Sequence, residues 1–390
     1  MKVLVTSLPD LAKMPPQRPH QLIKRLGERH DVTVLCTDVW WLDEVHDEYL
    51  DGILESVEFV YVSRRRVNSI LQEALFCANL RTFNQEHNLN DYDLHVNMMS
   101  PLAGYWITRK LGLPTIFDIY DDYANLTTIS PQIPAFLKPL GESFGRYLLG
   151  KTIKSSARIT YITEALNETY KFPDEKARII PNGVDVNAFY NRDSRELREE
   201  LGLGDQFLVG YVGGLKSWVD LEPMLRVLKA TEHELDMKLV VVGEEGELKK
   251  NVDMAREFGQ SDRVIFTGFV ERHRVPDYVS AMDVCILPFR ISPYTHNSLP
   301  LKLFEYMACE KPVISTPLRG VKQAVADRVL YANDDAALIQ RIKELYDDEN
   351  ERATLGRSGR AFVLEHYSWN SILKKFDGVV EEAVGDVAAQ

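Results

Sequence analysis

The segment Asn297–Pro317, NSLPLKLFEYMACEKPVISTP, is the part of the chain on which the fold prediction depends. Its residue order predicts a loop, a short helix, a sharp stop and a buried strand. Ser298 is a predicted N-cap, and Pro300 falls where a first-turn proline is tolerated because its missing N–H would have no partner there. Pro312 cannot continue a helix. The apolar run Val313–Ser315 is typical of a strand that is covered on both faces, so the segment predicts an α/β sheet.

Two charged side chains lie near the start of this predicted helix. The free N–H groups of a helix start carry a partial positive charge, so Lys302 in the first turn runs against the helix dipole. A cation at that end is more easily explained if an anion shares the site. Glu305 follows about one turn later on the same side of the helix. Lys302 and Glu305 are therefore suited to hold a phosphate and a diol, with a solvated surface pair as the alternative.

The rest of the chain alternates between apolar strands and amphipathic helices, which predicts parallel sheets with helices on both faces. At 390 residues, two domains are the default expectation. Predicted strands lie at 2–6, 32–36, 57–62, 93–97, 114–119, 157–163 and 178–181 in the first half, and at 207–212, 238–242, 263–267, 283–288, 313–315 and 328–331 in the second.

The composition is that of an acidic globular protein, with 45% hydrophobic residues and a formal net charge of −12. This charge argues against nucleic acid as a partner. The cysteines form no CxxC pair, which favours reduced thiols and a cytoplasmic protein. No apolar run reaches about 18 residues, so no transmembrane helix is expected. The start, MKVLVTSLPD, is predicted to be a first strand rather than a signal peptide.

Three carboxylates follow the predicted strand 114–119, at Asp118, Asp121 and Asp122. The carboxyl end of a strand in an open α/β sheet is where ligands bind. Clustered acids at that place could orient an acceptor hydroxyl, and Asp122 is the preferred candidate. Helix capping and turn formation are the alternative, because aspartate performs both routinely.

The loop after the first strand lacks a GxGxxG fingerprint, which disfavours a nicotinamide dehydrogenase. It ends instead in Arg18-Pro19-His20 at the entrance of a helix. Arg18 and His20 are candidates for a ligand-facing role, with helix capping as an equal alternative.

Basic residues accompany an apolar pattern at 131–154, where Lys138, Arg146, Lys151 and Lys154 alternate with aromatic and aliphatic side chains. Such a helix can lie on a membrane surface, so a peripheral association is one interpretation, and packing on its own sheet is the other. The arginines at 64–66 predict a solvated turn, or else contact with phosphate or lipid headgroups.

Seven short motifs occur in a fixed order, and this order resembles that of retaining glycosyltransferases with the GT-B fold, of the group 1 or family 4 type. The motifs are RPHQL at 18–22, IYDD at 119–122, PNGVD at 181–185, YVGG at 211–214, TGFV at 267–270, LFEYMACEKPVIST at 303–316 and YSW at 367–369. Glu305 matches the second glutamate of the family's signature. Asn297 stands where the family carries the first.

The resemblance implies two Rossmann-like domains, 1–183 and 184–366, that face a central cleft, and a closing helix within 367–390 that returns to the first domain. It implies transfer of a sugar from a UDP- or GDP-type donor to a carbohydrate or lipid-linked acceptor, with retention and without a cofactor or essential metal. The implied catalytic residues are Asp122, Lys302 and Asn297. The donor-side candidates are Gly213, Gly214, Lys216, Gly268, Phe269, Ser298, Leu299, Leu301, Lys302 and Glu305, and the acceptor-side candidates are Arg18, His20, Asp118 and Asp121.

Two further classes of protein remain open on the sequence. One is a nucleotide-sugar epimerase or a phosphorylase on the same architecture, which analysis of products from a labelled donor would distinguish. The other is a nucleotide-sugar-binding protein that has lost catalysis. This class remains open because Asn297 stands in place of a glutamate.

Overall fold

The structure is a computed structural model that describes residues 1–7, 10–14, 16–37, 52–53, 55–63, 69–129 and 133–388. The predicted turn at arginines 64–66 lies outside these residues. Contacts divide the chain into two units, one of Met1–Pro181 with Ile372–Gln390 and the other of Asn182–Ser371. Each unit is built around one parallel sheet.

The first sheet has the strand order β3-β2-β1-β4-β5-β6-β7, and every recorded pairing is parallel. Its strands are β1 (Lys2–Ser7), β2 (Asp31–Thr37), β3 (Glu58–Ser63), β4 (Leu94–Met98), β5 (Thr115–Ile119), β6 (Arg158–Tyr161) and β7 (Ala177–Ile179). The chain first builds the sheet outward from β1 to β3 and then returns to place β4 on the other side of β1. The strand order therefore reverses between β1 and β4.

The second sheet repeats this plan in the order β10-β9-β8-β11-β12-β13, again with parallel pairings. Its strands are β8 (Phe207–Val212), β9 (Met237–Val242), β10 (Val264–Gly268), β11 (Val284–Leu287), β12 (Val313–Ser315) and β13 (Leu330–Tyr331). The reversal of strand order here lies between β8 and β11. Two doubly wound parallel sheets confirm the predicted α/β class.

Helices connect the strands, as parallel pairing requires. In the first unit they are α1 (Arg18–Gly27), α2 (Ser69–His87), α3 (Pro101–Leu111), α4 (Tyr123–Ile129), α5 (Lys138–Ser155) and α6 (Glu164–Tyr170). In the second they are α7 (Arg195–Glu200), α8 (Glu222–Ala230), α9 (Leu248–Glu257), α10 (Val275–Ala281), α11 (Pro293–Asn297), α12 (Leu301–Ala308), α13 (Arg319–Val325), α14 (Asp335–Asp347) and α15 (Glu349–His366). The last helix, α16 (Trp369–Ala388), starts in the second unit.

From Ile372 onward, α16 packs on the first unit. Its buried face carries Ile372, Phe376, Val379, Val380 and Ala383. Asp377 on this helix pairs with Arg25 at 2.7 Å and with Arg29 at 3.1 Å. Apolar burial and charge therefore both fix the returning helix on the unit that contains α1.

Two of the sequence motifs pair with each other where the chain passes between the units. The Val184 N–H donates to the carbonyl of Tyr367 at 2.9 Å, and the Trp369 N–H donates to the carbonyl of Val184 at 3.1 Å. A Cβ on Gly183 would lie 2.9 Å from Cδ2 of Trp369, so the approach of the two segments requires a glycine. The motifs PNGVD and YSW thus belong to one local structure.

None of the helices within the described ranges is long and apolar enough to cross a membrane.

Candidate functional site

The candidate site lies at the carboxyl edge of the second sheet, where the strand order reverses. In open α/β sheets this reversal opens a crevice in which ligands bind. A glycine with positive φ lies at the carboxyl end of each of three strands: Gly213 follows β8, Gly243 follows β9 and Gly268 is the last residue of β10. Hydrogen bonds connect them, because Gly213 N–H donates to the carbonyl of Val242 at 2.8 Å and Gly243 N–H donates to that of Gly268 at 2.9 Å. Backbone atoms without side chains therefore line this edge of the sheet, and we call these three residues the glycine layer.

Lys302 extends from the first turn of α12 to this glycine layer. Its ammonium group donates to the hydroxyl of Tyr211 at 2.6 Å and lies 5.5 Å from the ring centre of Phe289. A Cβ on Gly213 would lie 2.5 Å from Nζ of Lys302, which is closer than a real Cβ contact. Gly213 is thus needed both for its positive φ and for the space that the lysine occupies.

Tyr211 holds Lys302 in this position, and the sequence analysis did not single it out. The tyrosine is fully buried in β8, and its hydroxyl donates to the carbonyl of Gly214 at 2.9 Å. The phenolic oxygen is then free to accept from Lys302. The available signal was the tyrosine of the YVGG motif, two residues before the first glycine.

The site environment alters the protonation of both charged residues of α12. Burial lowers the pKa of Lys302 to about 8, while nearby Glu305 acts in the opposite direction. Burial also raises the pKa of Glu305, and Arg272 and Lys302 oppose that rise. The Arg272 guanidinium lies 3.8 Å from a carboxylate oxygen of Glu305. Lys302 and Glu305 therefore form, with Arg272, a partly desolvated charged group on one side of the helix.

Lys216 lies in the loop after β8 but takes part in a different contact. Its ammonium group pairs with the carboxylate of Glu245 in the loop after β9. A Cβ on Gly214, in the loop after β8, would lie 3.1 Å from the same carboxylate. The structure thus brings Lys216 and Gly214 together with Glu245, an acidic neighbour that sequence reasoning missed.

Phe269 follows Gly268 and is 69% exposed. An aromatic ring of this size in solvent offers a flat apolar surface at the end of β10. A role for it beside a nucleobase stays a prediction.

The start of α12 differs from its prediction. The N-cap is Pro300, with no side-chain hydrogen bond, and Ser298 instead caps the end of the preceding helix α11. The Ser298 hydroxyl donates back to the carbonyl of Tyr294 at 3.1 Å, so it is not available to α12. The prediction of Ser298 as N-cap was wrong because a separate short helix occupies 293–297.

The end of α12 also comes earlier than Pro312. The helix stops at Ala308, and Glu310 adopts a left-handed φ of 58°. Lys311 N–H donates to the carbonyl of Tyr306 and Glu310 N–H donates to that of Met307, both at 3.1 Å. This is a Schellman ending with glutamate in the place where glycine is usual.

Asn297 and Leu299 are fixed by partners that are distant in sequence. Asn297 is 2% exposed, and the oxygen of its side-chain amide accepts from the guanidinium of Arg319 at 2.8 Å. The carbonyl of Leu299 accepts from the side-chain amide of Asn182 at 2.7 Å. The loop before α12 is therefore held on both sides, while Leu301, the first helical residue, is only partly buried.

In the first unit, Arg18 and Asp118 form a buried ion pair. Arg18 is 2% exposed and donates to both carboxylate oxygens, at 3.0 and 2.7 Å. Its third nitrogen donates to the carbonyl of Pro181 at 2.9 Å, and Thr160 donates to Asp118 at 2.5 Å. The pair joins the start of α1, the end of β5 and the segment before the second unit. An acceptor-side role for these two residues stays a prediction.

His20 at the start of α1, and Asp121 and Asp122 before α4, make the capping contacts that the sequence analysis gave as the alternative. Nδ1 of His20 accepts from the Gln17 N–H at 3.0 Å, so Nε2 carries the proton that it donates to the carbonyl of Leu11 at 2.8 Å. Asp122 is 1% exposed and accepts from both the backbone and the side chain of Asn125 at the start of α4.

Two further contacts belong to this cluster. The Tyr170 hydroxyl also donates to the carboxylate of Asp122. The side chain of Asp121 accepts from the Asp122 N–H at 2.8 Å. The catalytic role predicted for Asp122 is untested, and the contacts seen are those of a helix cap.

Within the described part of the chain, no group of three or more histidine, cysteine, aspartate or glutamate side chains is placed to hold a metal ion.

Solved structures with the same two-sheet plan define the class of fold. Sucrose-phosphate synthase from Thermosynechococcus elongatus superposes with a TM-score of 0.80 at 17% identity, with both chains covered in full (100%). HepE of Anabaena, solved in complex with UDP, gives a TM-score of 0.75 at 17% identity and covers 98% of this chain and 100% of its own. The protein therefore has the GT-B fold of glycosyltransferases.

Family models give the narrower assignment. Residues 18–188 match Glycosyltransferase Family 4, and residues 193–362 match Glycosyl transferases group 1. The chain belongs to this group 1 and family 4 glycosyltransferase family.

Among curated relatives, TuaH of Bacillus subtilis, named as a glycosyltransferase of teichuronic acid biosynthesis, is 29% identical over 159 residues. That alignment covers 40% of this chain and 38% of TuaH. Across TuaH and two other relatives the chain spans between 38% and 62% of their own length.

Proposed function

We propose that the protein is a retaining, metal-independent glycosyltransferase that moves a sugar from a nucleoside-diphosphate sugar to an acceptor hydroxyl. One observation carries the proposal: Lys302 and Glu305 lie together at the start of α12, and the Lys302 ammonium contacts the glycine layer at the reversal point of the second sheet. HepE, which shares the fold, was solved with UDP bound.

The leaving group explains why a cation belongs at this helix start. When the bond between the anomeric carbon and the diphosphate breaks, negative charge develops on the departing oxygen. The Lys302 ammonium, the free N–H groups of α12 and the open backbone at Gly213 are fixed beforehand at the place where that charge would form. Fixed donors of this kind do the work that a divalent metal does in other enzymes of phosphate chemistry, so no metal is part of the proposal.

Glu305 supplies the complementary contact to the nucleoside. A carboxylate accepts hydrogen bonds from two adjacent hydroxyls, which is the pattern that a ribose offers. Burial raises the pKa of Glu305, and the guanidinium of Arg272 opposes that rise and so favours the carboxylate form that this contact needs. Phe269 is exposed enough to stack on a base, and a UDP- or GDP-type donor fits this arrangement.

Retention requires the acceptor to attack from the face that the diphosphate leaves. The new bond then forms between the anomeric carbon and the acceptor oxygen, and the acceptor's proton passes to the departing diphosphate. Asn297 can donate or accept a hydrogen bond to a sugar hydroxyl but carries no charge. The proposed acceptor is a hydroxyl of a carbohydrate or of a lipid-linked saccharide.

The test combines nucleotide selection with product stereochemistry. Thermal unfolding with UDP, GDP and ADP should show stabilisation by at least one of them, of roughly 3 kcal/mol at a hundredfold excess over Kd. Turnover of the corresponding nucleotide sugar is then followed in EDTA by NMR, and an axial donor should give an axial product. An inverted product, or transfer abolished by EDTA, would contradict retention or metal independence. Interconversion of the donor without transfer would identify an epimerase, and stabilisation without any donor turnover would identify a binding protein.

Nucleotide affinity should depend on pH through Lys302. Because burial lowers the pKa of this lysine to about 8, the ammonium group loses its proton above that pH and the diphosphate loses its partner. Affinity for the stabilising nucleoside diphosphate should be nearly constant below about pH 8 and fall about tenfold per pH unit above it. Isothermal titration calorimetry between about pH 7.5 and 9.5 measures this slope and the proton uptake that accompanies binding.

Two other titratable groups lie near Lys302. Burial raises the pKa of Tyr211, which moves its titration further above this pH range. Burial also raises the pKa of Glu305, so the Lys302→Ala variant is needed to separate titration of that carboxyl group from titration of the lysine. A flat profile, or the same slope in Lys302→Ala, would show that Lys302 does not bind the diphosphate.

A further inference from the structure

Large apolar side chains are exposed together at one place in the first unit. Phe136 is 78% exposed, Leu140 67%, Phe144 55%, Tyr147 60% and Leu137 39%. Phe136 and Leu137 lie in the turn Ala135–Leu137, and the other three lie in the helix α5 that follows it. We call these five side chains the α5 apolar face. Single exposed hydrophobic residues are ordinary on a protein surface, whereas a contiguous group marks an interaction site.

The core of the protein does not explain this face, because α5 buries a different one. Leu148, Leu149 and Ile153 point into the unit and are buried. Gly145 allows a close approach to α4, since a Cβ there would lie 3.3 Å from Cα of Ala124. The helix is therefore packed on one side and still apolar on the other.

Basic residues continue the same line along the helix. At about 100° per residue, Leu140, Phe144, Tyr147, Lys151 and Lys154 fall within an arc of about 80°. Both lysines are exposed, and the Lys151 ammonium lies 5.4 Å from the ring centre of Tyr147. In a chain with a net charge of −12, the helix 138–155 carries four basic residues and one acidic residue. Apolar surface is thus joined to local positive charge.

We propose that the α5 apolar face binds the surface of an anionic lipid bilayer. The helix would lie in the plane of the interface, with Leu140 and Phe144 buried to the level of the headgroups and the lysines near the lipid phosphates. Tyr147 suits this depth because its ring is apolar and its hydroxyl can remain in water.

The size of the face favours a membrane over a second copy of the chain. An aromatic side chain presents about 150–250 Å² of surface, so the exposed parts of these five side chains amount to roughly 500 Å². This is below the roughly 800 Å² per partner of a stable protein interface. A bilayer needs no such area, because insertion of a few side chains is reinforced by the charge of the surface.

Vesicle sedimentation tests the proposal with the full-length protein. Vesicles of phosphatidylcholine with a third of phosphatidylglycerol are compared with pure phosphatidylcholine. Binding should be at least about tenfold stronger to the anionic vesicles and should weaken at high salt, since the lysines act through a screened field. The double variant Leu140→Glu/Phe144→Glu should lose roughly tenfold or more of this binding.

Leu364→Glu is the matched control, because Leu364 is an exposed leucine (42%) on helix α15 of the other unit. It should bind vesicles like the wild type. Equal binding by the double variant and the wild type would overturn the proposal, and so would equal binding to both kinds of vesicle. Light scattering that shows self-association lost in the double variant, with no vesicle binding by either, would assign the face to a second copy. Membrane binding is measured without substrate, so its failure is distinct from that of the proposed transfer reaction.

Discussion

Lys302→Ala is expected to lower kcat/KM for the donor by roughly 10²- to 10³-fold, the loss typical of removing one fixed donor from a charge that develops in the transition state. The fold should not suffer. Burial already holds the pKa of this lysine down to about 8, so the native structure does not depend on its charge. Tyr211, its partner, keeps the hydrogen bond to Gly214. Steady-state kinetics and thermal unfolding of the purified variant measure the two quantities side by side.

Lys229→Ala provides the control for Lys302→Ala, because Lys229 is an exposed lysine in the last turn of α8. It removes the same charge from the same unit and should change kcat/KM by less than about twofold. If Lys302→Ala were as active as Lys229→Ala, the diphosphate would have to bind elsewhere on the sheet, and the site proposed at α12 would be wrong. A loss of activity that accompanied a large drop in Tm would point instead to a structural role.

The sequence predicted the sheets well because each strand carries its own signal. Runs such as Phe207–Val212 and Val284–Leu287 are buried along their whole length, and continuous apolar runs are what a strand covered on both faces requires. Parallel pairing then follows from the helices between them. The order of the strands within each sheet was not predicted, because it depends on pairing between segments that are distant in sequence.

Contacts between distant residues could not be predicted in the same way. Tyr211 and Lys302 meet only because β8 and β11 are neighbours in the folded sheet, and Arg319 reaches Asn297 from a separate helix. No local pattern records such pairs. The position of Lys302 relative to the helix start was predictable, whereas the residues that hold it were not.

Local signals also failed where two of them competed. Ser298 fits the pattern of an N-cap, but the residues before it, 293–297, form a helix that Ser292 caps through its own hydroxyl. Ser298 therefore ends one helix, and Pro300 begins the next. At Asp122 both interpretations stand, since its contacts with Asn125 are those of a helix cap and its catalytic role stays a prediction.

Asp118→Asn is expected to destabilise the protein by roughly 3–5 kcal/mol, because it leaves the Arg18 guanidinium buried without a counter-charge. Arg18 is 2% exposed and Asp118 is fully buried, so water cannot replace the lost partner. The amide retains the shape of the carboxylate, which means that loss of charge rather than loss of volume causes the effect. Guanidinium denaturation followed by circular dichroism measures the change in the free energy of unfolding.

Two comparisons separate a structural ion pair from an acceptor-binding one. Asp121→Asn changes a half-buried carboxylate three residues further on and keeps an oxygen for the Asp122 N–H, so it should cost less than about 0.5 kcal/mol. The double variant Arg18→Met/Asp118→Leu removes both charges and should recover much of the stability that Asp118→Asn loses, since apolar residues of similar volume often replace a buried pair without cost. If Asp118→Asn instead left stability unchanged and abolished transfer, the pair would be serving the acceptor, and the structural role inferred from its contacts would be wrong.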